Sequence, residues 1–184
     1  MRTSLQRDWV KVWDPLVRLL HWSLVIGVAL AWLTGDEMKL LHEWAGYAAL
    51  AIVGVRLVWG AIGTRYARFT QFIHGPKAVA GYAKDVVAGT SPRHLGHNPL
   101  GGWMVSALLT TLLALGASGW MMTLDPYFGE EWLEQVHDVL ANGLLGLLTL
   151  HVAGAVLTGL EHRENLVAAM LSGRKRPPTG TDVA

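Results

Sequence analysis

The chain contains no cysteine. Disulfide bonds, thiolate metal sites, iron–sulfur clusters and covalent c-type haem attachment are therefore excluded. Charged residues are also scarce, at 16% of the 184 residues, whereas hydrophobic residues make up 52%. An ordinary soluble domain spreads its apolar positions among polar ones, so this composition indicates a membrane protein with one compact domain.

Apolar residues gather into four long stretches, separated by short charged or Pro/Gly-rich segments. Each stretch is close to the ~20 residues that a helix needs to cross a bilayer, and none alternates as the strands of a membrane barrel do. Backbone groups in lipid must be hydrogen-bonded within the segment, which favours helices. We therefore predict an all-α transmembrane four-helix bundle, ordered up-down-up-down, with spans over residues 15–34, 42–63, 101–124 and 134–160.

The first stretch begins at Asp14 and Pro15, which suit an N-cap and the first turn of a helix. A cleaved signal peptide is the alternative, but residues 35–37 offer no small-x-small cleavage pattern. We predict an uncleaved span.

Lysine and arginine are distributed unevenly between the predicted loops. Three precede the first span, five lie between the second and third, four follow the fourth, and the opposite side has only Lys39. By the positive-inside rule, both termini and the middle loop are cytoplasmic. Residues 1–172 are predicted to form one four-span membrane domain, and residues 173–184 a mobile basic cytoplasmic tail that is attracted to anionic lipid.

Four of the eight histidines fall inside or at the rim of predicted spans. Ionisable groups at membrane depth usually face the bundle interior and serve a function, so each is a candidate site residue. A hydrogen-bonded core histidine is the alternative for any one of them. The four are His21, His42, His137 and His151.

The spacing of these histidines groups them into pairs. His137 and His151 are 14 residues apart, a rise of roughly 21 Å with an angular drift of about 40°, so they share a helical face at opposite depths. His42 starts its span at the outer side, whereas His21 lies about two turns in from the cytoplasm. Two depth-matched pairs are predicted: His21 with His151, and His42 with His137.

Two imidazoles from facing helices can fill both axial positions of a haem iron, which favours electron transfer over oxygen binding. Such cofactors commonly bind in the core of a helical bundle. A flat porphyrin also needs close backbone approach, which Gly46 and Gly154 would allow. Helix packing is the alternative role for both glycines.

Two arginines are candidate partners for haem propionates. Arg56 lies 14 residues after His42, and therefore on the same helical face but near the inner haem. Arg18 lies one turn before His21, with snorkelling to the headgroups as the alternative.

The remaining histidines fall in cytoplasmic segments. His74 and His94 are expected in solvated loops. His162 is a distant alternative to His151, because it lies beyond Leu160 at the charged edge.

Five segments carry a family pattern that covers most of the chain and is specific when they are taken together. They are VWDPLVRLLHW (12–22), HEWAGY (42–47), RLVWGAIGTRYARF (56–69), GHNPLGGWM (96–104) and, in the last span, His137 with LLTLHVAG (147–154). The pattern resembles the bacterial di-haem b-type cytochromes, which include small cytochrome b-561 and the membrane cytochrome subunit of nickel-iron hydrogenases.

The resemblance implies a bacterial inner-membrane protein with two noncovalent haems b and bis-histidine ligation. The first-span and second-span histidines would each be partnered by one from the fourth span, which carries over onto the four histidines above. It also implies electron exchange between the quinone pool and a partner protein, as in quinone-linked oxidoreductase subunits. His97 and Asn98 become neighbours of the inner haem or a quinone, with loop capping as the alternative.

The chain has four spans where the hydrogenase subunits typically have five, which argues against a hydrogenase partner. A periplasmic cytochrome c or another redox subunit is a candidate partner, because acidic residues on the outer face would steer a basic protein. The usual shortage of positive charge outside is the alternative, and no nucleic-acid partner is expected. The acidic residues are Asp36, Glu37, Asp125, Glu130, Glu131 and Glu134.

Two other functions compete with electron transfer. Histidines could form a proton or divalent-metal path, but such paths usually recruit buried carboxylates, and Glu43 and Asp138 both lie at the outer rim. A plain membrane anchor for another subunit would explain the spans but not the matched histidine depths.

Overall fold

The computed structural model describes residues 9–35 and 37–183. Four helices within these residues are long and apolar enough to cross a membrane. They confirm the predicted all-α transmembrane bundle. The four are α1 (Pro15–Thr34), α2 (Lys39–Ile62), α5 (Pro99–Met121) and α6 (Glu131–Glu161).

Side-chain caps fix where two of the long helices begin. Asp14 Oδ1 accepts a hydrogen bond from the Val17 amide at 3.0 Å, so α1 starts at Pro15 as predicted. Asn98 Oδ1 accepts from the Gly101 amide at 2.7 Å, which starts α5 two residues before the prediction. Helices α2 and α6 each begin three residues early, and α5 ends three residues early.

Short elements that the sequence did not predict precede, connect and follow the long helices. Helix α4 (Pro76–Val87) is amphipathic and buries Val79 and Tyr82, and it packs against α5. A 3₁₀ turn at Asp125–Tyr127 joins α5 to α6. The others are β1 (Val10–Lys11), α3 (Phe69–Phe72), α7 (Leu166–Ser172) and β2 (Arg174–Lys175).

The segment after α7 returns to the start of the chain. Strands β1 and β2 pair antiparallel, with Val10 opposite Lys175. The Gly173 carbonyl accepts hydrogen bonds from the Val12 and Trp13 amides at 2.9 and 3.1 Å. Farther along, the Leu95 amide donates to the Val183 carbonyl at 2.9 Å, and the Val183 amide donates to the Arg93 carbonyl at 2.8 Å. Residues 173–183, predicted to belong to a mobile tail, thus contact two other segments, while residues 1–8 and Ala184 lie outside the described residues.

The four long helices form an open arrangement rather than a closed square. Helix α1 packs on α2, α2 on α5, and α5 on α6. Within the described residues, α6 makes only sparse backbone contact with α1 and α2. We call the end where α1 and α5 begin the basic end, and the opposite end, where α6 begins, the acidic end. The space between α6 and the α1–α2 pair runs along the bundle and holds the site.

Candidate haem-binding site

At the basic end, His21 of α1 faces His151 of α6. Their ring centres lie 6.4 Å apart, with the ring planes at 49°. Helix α1 puts His21 about two turns from its start, and α6 puts His151 at the matching depth.

At the acidic end, His42 of α2 faces His137 of α6 in the same way. Their ring centres lie 6.1 Å apart, with the planes at 67°. Helix α6 therefore contributes one histidine to each pair, because 14 residues bring the side chain back to nearly the same face.

Both separations suit two imidazoles that share one metal. Imidazoles that bind a metal from opposite sides, with metal–nitrogen bonds of about 2 Å, hold their ring centres about 6 Å apart. Direct hydrogen bonding between the rings would bring them closer than this. The residues of both pairs thus fit an iron between them, whereas their role as ligands stays a prediction.

Hydrogen bonds to the acidic-end histidines select the tautomer that a metal requires. Nδ1 of His42 lies 2.8 Å from the Ala31 carbonyl oxygen. Because a carbonyl oxygen only accepts, this Nδ1 carries the hydrogen, and Nε2 keeps its lone pair. Histidines that bind metals commonly donate their second ring nitrogen in this manner.

Ser118 of α5 makes the corresponding contact with His137. Its Oγ lies 2.8 Å from His137 Nδ1, and the hydroxyl donates to the Leu115 carbonyl at 3.1 Å. Sequence reasoning missed Ser118, because a serine in an apolar helix gives no signal of which neighbour it will meet.

The basic-end pair lacks such a contact at His21. Nδ1 of His21 is buried and has no hydrogen-bond partner within the described residues. The ring instead packs edge-on against Trp22, with centres 5.1 Å apart. The two pairs therefore differ in their polar surroundings although they match in ring separation.

Arg56 of α2 is a buried cation that lacks a full set of hydrogen-bond partners. Only 7% of its surface is exposed, and its guanidinium lies over the Phe69 ring at 5.2 Å. Nη1 is buried with no hydrogen-bond partner within the described residues. An unpaired cationic donor in an apolar setting fits an anionic group such as a propionate.

Arg18 differs from Arg56 in having a protein partner. Its Nη2 donates to the Leu171 carbonyl at the end of α7. The guanidinium therefore turns toward the end of α7 instead of extending freely to the headgroups, and its buried Nε has no partner within the described residues.

His97 and Asn98, which directly precede α5, make different contacts. Asn98 caps the helix, which is the alternative predicted for it. The His97 ring packs between Trp13 and Phe72, with centres at 4.7 and 4.5 Å, and its Nδ1 is buried without a partner. Burial, together with the positive charge of Arg56, lowers the pKa of His97 to about 3, so this imidazole is neutral.

Gly46 and Gly154 both border open space. A Cβ built on either residue would meet no atom within 4 Å. Neither glycine is needed for close helix packing in the described residues, so the packing alternative finds no contact here. The open space suits a flat group beside the histidine pairs.

His162, the alternative to His151, ends α6 near the charged surface. Its Nε2 lies 4.0 Å from Glu161 Oε2, and its carbonyl accepts from Arg176. In the described parts of the chain, no three or more His, Asp or Glu side chains gather as a metal-ion site.

Four helices able to span a membrane, with two pairs of imidazoles facing each other between them, are the arrangement expected of a membrane b-type cytochrome. Residues 12–173 match the model of the prokaryotic cytochrome b561 family, and the chain belongs to that family. It is a multi-pass bacterial membrane protein that transfers electrons across the bilayer by haem b. A comparison with curated proteins gave no match.

Proposed function

We propose that the chain binds two haems b, one in each histidine pair, and carries electrons between the quinone pool and a redox partner protein. The observation that carries this proposal is the pair of ring separations, 6.4 Å for His21 with His151 and 6.1 Å for His42 with His137. Two pairs at opposite ends of one bundle give a relay between the two membrane surfaces.

Haem b supplies a one-electron couple between ferrous and ferric iron. The four histidines would hold the two haems, which would supply electron transfer as their chemistry. Arg56 would neutralise a propionate at the basic end, and Arg18 offers a second donor there. The glycines would keep the porphyrin faces free of side chains.

The basic end faces the cytoplasm in this proposal, with both termini on that side of the inner membrane. The support is the charge bias between the two ends, since Lys39, at the start of α2, is the one Lys or Arg of the sequence at the other end. The acidic end then faces the periplasm. Exposed Phe128 and Trp132, beside Glu130 and Glu131, offer a mixed apolar and acidic surface for a basic redox partner there.

His97 is the candidate hydrogen-bond partner for a quinone or a haem propionate near the basic-end pair. Its unpartnered Nδ1 lies in an aromatic cleft, and a neutral imidazole can hydrogen-bond a carbonyl or carboxylate oxygen. Since Asn98 is already used as a cap, His97 is the better candidate of the two.

A redox-titrated absorption spectrum with a haem assay tests the proposal. We expect two low-spin haems per chain that titrate with different potentials, because the surroundings of the pairs differ. One haem per chain, or a high-spin spectrum, would contradict the bis-histidine assignment.

The quinone step needs a separate experiment. Quinol added to the purified oxidised protein should reduce its haems within the time of mixing, whereas a quinol analogue that cannot be oxidised should not. Absence of haem reduction by quinol, with two haems present, would remove the quinone pool from the proposal and keep the electron relay.

A further inference from the structure

Ser118 lies in the interface between α5 and α6 and is 5% exposed. Its hydroxyl touches the candidate ligand His137, and no metal would contact the hydroxyl itself. A buried polar side chain on a membrane helix usually has a partner or a function, and here the partner is an imidazole.

The polarity of this contact follows from the second bond that Ser118 makes. The hydroxyl hydrogen is donated to the Leu115 carbonyl at 3.1 Å, on the preceding turn of the same helix. In that arrangement the lone pairs of Oγ accept from His137 Nδ1, 2.8 Å away, which is the tautomer that leaves Nε2 free for the proposed iron. A directional chain runs from the His137 N–H through the Ser118 hydroxyl to the Leu115 carbonyl.

Gly119, the next residue of α5, lies against another side of the His137 ring. A Cβ on Gly119 would lie 3.3 Å from His137 Cε1, which is tighter than ordinary contact. The ring of His137 is therefore held by a hydrogen bond at Nδ1 and by the close helix backbone at Cε1, which together restrict its rotation.

At the basic-end pair, one histidine lacks such a hydrogen bond. Nδ1 of His21 has no hydrogen-bond partner within the described residues. An imidazole whose N–H donates to an acceptor is a more basic ligand than one without an acceptor. A more basic ligand stabilises the ferric state and lowers the midpoint potential of the iron it binds.

We propose that Ser118 is a positioning residue for the acidic-end haem: it fixes the His137 ring with Nε2 toward the iron and lowers the midpoint potential of that haem. The inference rests on the proposed binding of haem by the histidine pairs. It assigns Ser118 no contact with haem or quinone, because the hydroxyl acts through His137 alone.

The test is a potentiometric titration of the full-length Ser118→Ala protein in detergent. We expect the acidic-end component to shift to a higher potential and the basic-end component to stay in place. The His151→Ala protein, which should retain only the acidic-end haem, assigns the two components. The low-spin ferric EPR signal of that haem should also change, because it reports the relative orientation of the two imidazoles.

Ser106→Ala is the matched control. Its hydroxyl donates at 3.0 Å to the Gly102 carbonyl on the same helix, and no imidazole is its partner. The substitution removes a helix-backbone bond of the same kind, so any general effect of losing a hydroxyl from α5 appears in both proteins. We expect no change of either potential in Ser106→Ala.

Each result of this experiment decides the proposal. Unchanged potentials in Ser118→Ala with both haems present would overturn it. If Ser118→Ala loses one haem, Ser118→Thr, which keeps the hydroxyl, must restore that haem and its original potential, and failure to do so would also overturn it. Absence of haem from the wild-type protein would instead contradict the proposed function.

Discussion

Arg93 and Glu164, which are 71 residues apart in the chain, form a two-point ion pair. Arg93 Nη2 lies 2.6 Å from Glu164 Oε1, and Nε lies 3.3 Å from Oε2. The same guanidinium contacts Asp182 Oδ2 at 2.5 Å, and Lys175 Nζ lies 3.5 Å from Glu164. All four groups are at the basic end, so these contacts tie the segment after α7 to the loop before α5.

Replacing Arg93 with methionine should destabilise the basic end. The Arg93 and Glu164 side chains are 3% and 9% exposed, and breaking a buried pair leaves a charge without compensation at a cost of about 3 kcal/mol. We expect a lower thermal midpoint in detergent and faster cleavage after residue 172 by proteinase K. Arg163→Met, at an exposed position, is the control and should leave both unchanged. Equal cleavage of Arg93→Met and wild type would mean that the tail is already mobile.

Each histidine pair should lose its own haem when one of its two histidines is replaced. His151→Ala should remove the basic-end haem, and His137→Ala the acidic-end haem, because each deletes one of the two histidines proposed to hold that haem. The measurement is the haem-to-protein ratio, expected to fall to about half in each protein with a different potential retained. Retention of both haems in either variant would show that the ligand assignment is wrong.

Arg56→Gln should weaken haem binding at the basic end. The loss of a charged hydrogen bond costs about 2 kcal/mol, or roughly 30-fold in affinity, and removal of the positive charge should lower the potential of that haem. Arg56→Lys keeps the charge without the guanidinium fork and should fall in between. Haem titration of the apoprotein measures the affinity; equal affinities for all three proteins would exclude a propionate contact.

Acid should destabilise the protein through His94. Burial lowers the pKa of His94 to about 4, and electrostatic interactions with His74, His162 and Lys175 act in the same direction. The unfolded chain takes up a proton near the ordinary value of 6.5 while the folded chain does not, so stability is full above 6.5 and is lost as the pH falls to about 4. Thermal midpoints across this window should fall less steeply for His94→Gln. An identical slope would show that His94 does not contribute.

Gly173→Ala should be more harmful than Gly89→Ala. Both glycines have positive φ, +78° and +68°, which costs about 1 kcal/mol for a residue with a Cβ. Only at Gly173 would the added Cβ also meet a backbone oxygen, that of Trp13 at 2.6 Å. The difference between the two thermal midpoints measures the clash alone. Equal losses would show that the Gly173 region relaxes freely.

Local features were readable from the sequence because helix geometry is regular. Asp14 and Pro15 mark the start of α1 in the sequence. The 14-residue spacing of His137 and His151 places both on the same face of α6. The proximity of His21 to His151 then followed from charge bias and depth. These predictions needed no knowledge of how one helix rotates against another.

The features that were missed depend on contacts between distant residues. Ser118 meets His137 only because of how α5 and α6 turn toward each other. Strands of two residues, such as β1 and β2, carry no periodic pattern. His94 was expected in a solvated loop, yet it packs edge-on against Tyr82 because α4, itself not predicted, lies beside it.

Helix α6 carries both His137 and His151 while its backbone packs chiefly on α5 among the long helices. On the two-haem proposal, the first cofactor to bind tethers α6 to the α1–α2 pair and so lowers the entropic cost of ordering that helix for the second. Haem binding is then cooperative, and chains that hold only one haem are rarer during biogenesis than they would be if the two sites were independent.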